Sequence, residues 1–86
     1  MNKIYLWRYY IAHGELKCWT SNIARETSKC YFLDDKGRLI KADEGKVEIK
    51  SRTFYPYIDV YFREEKSREE IVEVIIQYLK EYWGLN

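Results

Sequence analysis

Eighty-six residues make one domain, 1–86, able to bury only about 60 to 65% of its unfolded surface, which leaves little room for an enclosed substrate pocket. With 34% charged and 47% hydrophobic residues the chain reads as an ordinary soluble protein. It has no apolar stretch near the roughly 20 residues that span a bilayer and no signal-peptide pattern, so no membrane role is expected and the predicted location is the cytoplasm.

The first predicted element is a strand from Lys3 to Ala12, dense in Ile, Tyr, Leu and Trp, closed by a His13-Gly14 turn. A less regular second strand runs through Leu16 to Glu26, with Thr20, Ser21 and Asn22 marking a bend. Lys29 to Leu33 reads as a third strand, ended by the reverse-turn string Asp34-Asp35-Lys36-Gly37. Arg38 to Lys41 reads as a short return strand, and Ala42 to Gly45 as a turn. Lys46 to Arg52 alternates, Val47 and Ile49 against Glu48 and Lys50. After Pro56, placed where a strand tolerates proline, Tyr57 to Arg63 also alternates, with Ile58, Val60 and Phe62 inward and Tyr57, Asp59, Tyr61 and Arg63 outward.

The last element is a helix from Ser67 to Trp83. Ser67 and Glu70 have capping-box spacing, Glu69, Glu70 and Glu73 lie where the macrodipole favours negative charge, and Gly84 marks a stop. Its apolar stripe of Ile71, Val74, Ile75, Tyr78, Leu79 and Tyr82 is widened by Val72, Ile76 and Trp83 to roughly 200°, well past the ordinary minimum of about 100°. One face of a small sheet does not cover such an arc. Either the sheet curls around the helix or a second chain covers the flank of Val72, Ile76 and Trp83. Strands followed by one helix predict an α+β fold: an antiparallel sheet of four to five strands with a C-terminal amphipathic helix packed on one face.

Nine Tyr, three Trp and three Phe make 17% of the chain. In the first strand Tyr5, Trp7 and Tyr9 share one face, while Ile4, Leu6 and Arg8 share the other. If Ile4 and Leu6 join the aliphatic core, the aromatic row turns outward and, with Tyr57, Tyr61 and Arg63, forms a candidate binding surface. Three readings fit this row: large rings filling a small core, a protein-contact surface, or a stacking platform for single-stranded nucleic acid.

Nucleic acid ranks behind a protein partner. The formal charge of +1 divides into +4 over residues 1–53 (eleven Lys and Arg against seven Asp and Glu) and −3 over 54–86 (four against seven). Neither half concentrates enough charge for strong attraction to phosphates, and no RRM, helix-turn-helix or zinc-finger signature appears. Catalysis has little footing either. His13, the sole histidine, lies in a turn, Cys18 has no activating neighbour in sequence, Asp34 and Asp35 read as turn formers, and Glu64 and Glu65 read as solvated. His13, Cys18 and Cys30 match no common zinc spacing, and no Gly-rich phosphate loop is present, so no metal and no cofactor are expected. With no export signal, both cysteines are expected to be reduced thiols.

The stretch Arg25-Glu26-Thr27-Ser28-Lys29-Cys30-Tyr31, together with Lys41-Ala42-Asp43-Glu44-Gly45-Lys46-Val47, resembles a pattern in small uncharacterised proteins of phages and prophages of Gram-positive bacteria. The resemblance covers about a quarter of the chain and implies compact accessory proteins that act by binding a host or phage component. The sequence therefore points to a small non-enzymatic binding module for a protein partner, a second copy of itself among the candidates. The alternative is a single-strand nucleic-acid binder using an aromatic and basic sheet face.

Overall fold

A computed structural model describes residues 2–35, 37–50, 56–82 and 84. Among these residues six strands and one α-helix follow one another: β1 (Lys3–Tyr10), β2 (Glu15–Glu26), β3 (Cys30–Leu33), β4 (Arg38–Ile40), a 3-10 turn (Lys41–Asp43), β5 (Glu48–Lys50), β6 (Tyr57–Phe62) and α1 (Arg68–Tyr82). The fold is α+β, with one antiparallel sheet in the order β4-β3-β2-β1-β6-β5. Among the described residues six strands replace the four to five expected, because the three-residue segment Arg38–Ile40 pairs as an edge strand beside the five longer segments read from sequence.

β1 is the central ruler of the sheet. Its register places Trp7 between Cys18 and Val60, and Leu6 between Trp19 and Tyr61. Directly opposed residues share a face, so Tyr5, Trp7, Tyr9, Ile58, Val60 and Phe62 lie on one side, and Ile4, Leu6, Arg8, Tyr57, Asp59 and Tyr61 on the other. Helix α1 packs on the first side. Its Ile71 and Ile75 join Trp7, Ile58 and Val60 in a buried cluster, with Val47, Ile49 and Leu79 around it.

The second side is covered by the sheet itself. β2 is one twelve-residue strand, and its register slips between Ile23 and Arg25, leaving Ala24 as the extra residue of a bulge. Bulges bend and twist a strand, and here the bend carries β3 and β4 over the face of β1 and β6. Ile4, Tyr31 and Tyr61 form a second buried cluster there, with Leu6, Ile23, Leu33 and Leu39 packed against it. The Tyr61 hydroxyl donates to the Ile40 carbonyl, tying β6 to β4 across the concavity. The helix thus lies on the convex face of a curled sheet. The bend placed by sequence at Thr20 to Asn22 occurs a residue or two later, at the bulge.

Local chemistry fixes the joints. The Ser67 hydroxyl accepts from the Glu70 amide at 3.1 Å while the Glu70 carboxylate accepts from the Ser67 amide at 3.2 Å, a reciprocal capping box. The link from β4 to β5 turns at Gly45 (φ 78°), where an added Cβ would stand 3.3 Å from the Phe62 ring. The Gly45 amide donates to the Tyr61 carbonyl at 2.9 Å.

Candidate functional site

The structure does not bring the six sheet residues proposed from sequence onto one surface. Tyr5, Trp7 and Tyr9 face the helix, and Trp7 is buried in its core. Tyr57 and Tyr61 belong to the concave side, where Tyr61 is buried at 6% exposure. Arg63 stands 5.2 Å from the Tyr31 ring and donates to the Asn2 side chain at 3.0 Å. The condition for an outward aromatic row was that Ile4 and Leu6 pack with Ile58 and Val60. They pack with Tyr31 and Tyr61 instead, so the row points into the convex core.

On the concave face a polar lock lies among apolar neighbours. The Arg8 guanidinium donates twice to Asp59, Nε to Oδ1 at 2.7 Å and an Nη to Oδ2 at 2.9 Å, and Asp59 is buried. Lys50 approaches the same carboxylate at 4.0 Å. The hydrogen bonds to Asp59 raise the pKa of Arg8 further above its ordinary value, so the guanidinium stays charged. The guanidinium also lies 4.0 Å from the Tyr57 ring and 5.5 Å from the ring of Trp19, which is 42% exposed. Beside this lock runs a groove of about 620 Å³ between the two edge strands, with Arg38, Leu39 and Ile40 on one wall and Glu48 and Lys50 on the other. Its charges are mixed, and the strongest pair is already neutralised.

Trp19 and the Arg8–Asp59 pair were not singled out from sequence. A signal existed for the pair: Arg8 and Asp59 each interrupt an otherwise apolar strand row with charges of opposite sign. Trp19 lay next to the residues read as a bend.

The second surface is the flank of α1. Val72 and Ile76 are 40% and 42% exposed although Ile71 and Ile75 beside them are buried. They border an apolar groove of about 320 Å³ floored by Tyr9, Leu16, Ile75 and Leu79. The Arg68 guanidinium closes one end by donating to the Leu16 carbonyl at 3.2 Å. Trp83, the third flank residue proposed from sequence, lies outside the described residues.

Among the described residues no three His, Cys, Asp or Glu side chains cluster as a metal site would require. Cys18 and Cys30 are free thiols, and burial pushes the Cys18 pKa up, away from the thiolate form. No described helix is long and apolar enough to cross a membrane. Compared with known proteins, the chain matches no family model, no curated protein and no solved structure.

Proposed function

We propose that this protein is a small non-enzymatic binding module that holds a protein partner through the exposed flank of α1. The observation that carries this reading is the pair Val72 and Ile76, adjacent, more than a third exposed, and set beside an apolar groove. Singly exposed apolar residues are ordinary, but contiguous ones rimming a concavity are where proteins dock. The reading needs no cofactor. A phage or prophage accessory protein that acts by binding a host or phage component would have a role of this kind.

The test is capture of a partner by the intact chain and by Ile76→Asp, with light scattering of each protein alone. Loss of capture, or of self-association, in Ile76→Asp at unchanged thermal unfolding is the expected result. A partner held equally well by both proteins would overturn it.

A second reading, single-stranded nucleic acid on the concave face, is favoured by one observation: exposed Trp19 stands beside Arg8, and Lys17 lies 5.8 Å from the Tyr10 ring. Asp59 already neutralises Arg8, which weakens it. Trp fluorescence during an oligonucleotide titration at ~50 mM salt decides, since low salt maximises phosphate attraction. No change there removes this reading.

A further inference from the structure

We propose that the occupant of the α1 flank is a second copy of this chain, packed antiparallel so that Glu69 of each copy meets the partner's Lys80. This rests on the reading of the flank as the working surface and adds the identity of the partner and the register of the contact.

The argument starts from helix geometry. At 100° and 1.5 Å per residue, Glu69 and Lys80 differ by only about 20° around the axis and lie about 16 Å apart along it. They therefore occupy one line on the helix, and Val72 and Ile76 lie between that line and the buried stripe, about 60° and 20° from Glu69. Both Glu69 and Lys80 are exposed, and neither forms an ion pair with another described residue. The apolar seam is bordered on one side by Glu69 near its start, exposed Glu73 in its middle and Lys80 near its end. A twofold axis perpendicular to the helix pairs the terminal acid with the terminal base and sets Glu73 level with the partner's Ile76. In antiparallel pairs, residues on the same border meet.

The register follows from the numbering. A twofold passing between Val74 and Ile75 exchanges residues whose numbers sum to 149. Glu69 is then set against the partner's Lys80, twice. The same operation brings Val72 level, within one residue or about 1.5 Å, with the partner's Ile76. One offset therefore satisfies the charges and the apolar pair together. Orientation is chosen by the helix ends: a parallel pairing would bring two acidic first turns, with Glu69 and Glu70, side by side, whereas the antiparallel one sets each against a last turn in which Lys80 lies on the flank and Glu81 about 100° away from it. The groove floored by Tyr9 and Leu16 gives the partner's helix a place to settle beside Val72.

The test uses the full chain and sedimentation equilibrium. Glu69→Lys turns both interchain pairs into Lys–Lys contacts, and Lys80→Glu turns both into Glu–Glu contacts. Each is expected to weaken the dimer by about tenfold, as two exposed pairs pass from attraction to repulsion. Mixing the two variants regenerates two attractive pairs in one heterodimer and should return the wild-type affinity, without any chain having to carry both changes. Glu81→Lys, the same charge change on a side of the helix away from this flank, should leave the affinity within about twofold. Thermal unfolding of each variant confirms that it is folded.

A dimer abolished by Ile76→Asp yet indifferent to both charge reversals would overturn this register while leaving the flank as the binding surface. A dimer indifferent to Ile76→Asp as well would overturn both. A wild-type chain monomeric at the highest concentration reached would overturn the second copy as occupant, and the flank would then stand or fall with capture of a different protein.

Discussion

The two faces of the sheet are covered by different means. On the convex face a separate element, α1, lies over Trp7, Ile58 and Val60. On the concave face the sheet bends at the β2 bulge and lays its own β3 and β4 over Ile4 and Tyr61. Strand alternation therefore separates residues into two sets without making either set wet. β6 shows this most plainly, because Ile58, Asp59, Val60 and Tyr61 are all buried in succession. Apolar surface is left over on both elements: Val72 and Ile76 on the helix, and Trp19 and Ile40 on the sheet.

The most direct way to break this comparison is to truncate one aliphatic side chain in each cluster. Ile71, 0% exposed under the convex face, and Ile4, 1% exposed in the concave one, should each cost about 2–5 kcal/mol on replacement by Ala, measured by urea unfolding. Ile76→Ala, measured where the chain is monomeric, should lie within about 0.5 kcal/mol of wild type. If Ile4→Ala were as mild as Ile76→Ala, the concave cluster would not be a core, and the sheet would have a single buried face.

The Arg8–Asp59 lock sharpens the contrast, because among the described residues only the concave face holds an ion pair with a buried member. Asp59→Asn keeps the shape and leaves a partly covered guanidinium without its counter-charge, at a cost of about 1–3 kcal/mol. The double change Arg8→Met with Asp59→Leu should cost less than the two single changes added, since removing both charges leaves neither stranded. Additive losses in that cycle would mean that the two side chains act separately.

Much of this architecture was legible. The helix was readable because capping box, periodicity and stop coincide within one segment, and all are local. The alternation of β5 and β6 correctly sorted Val47, Ile49, Ile58 and Val60 to one side. What was not legible is which way the strand bends: Thr20, Ser21 and Asn22 marked a bend close to the bulge at Ala24, but its direction depends on pairing with β3. Of the aromatic candidates, Trp7 and Tyr61 are buried on opposite faces, so the core-filling reading left open beside the contact surface is the one that describes them. For the helix flank, the width of the apolar arc was itself the signal, and Val72 and Ile76 were found by it.

A smaller effect probes the joint that lets β4 and β5 flank one groove. Gly45 holds a positive φ against the Phe62 ring, so Gly45→Ala combines backbone strain with a tight contact. The expected loss is about 1–2 kcal/mol in urea unfolding. An unchanged midpoint would mean that the link can turn by another path.

The smallest effect bears on the contact that closes the concave face. Tyr61 donates its hydroxyl to the Ile40 carbonyl, and Tyr61→Phe removes this bond at a cost of about 1 kcal/mol near neutral pH. Burial, then the carboxylates of Asp43 and Glu44, push the Tyr61 pKa up from 10.0 to about 12. The folded state thus favours the neutral phenol, and its contribution is fully present below pH 10 and is lost as pH rises from 10 towards 12. Phenylalanine does not ionise, so the stability gap between wild type and Tyr61→Phe should narrow across that window. Absorbance titration of the native protein should show one late phenol that is missing in the variant. A gap constant across the window would mean that Tyr61 ionises as readily folded as unfolded. Water would then reach the hydroxyl between β6 and β4, and the concave face would be closed by apolar packing alone.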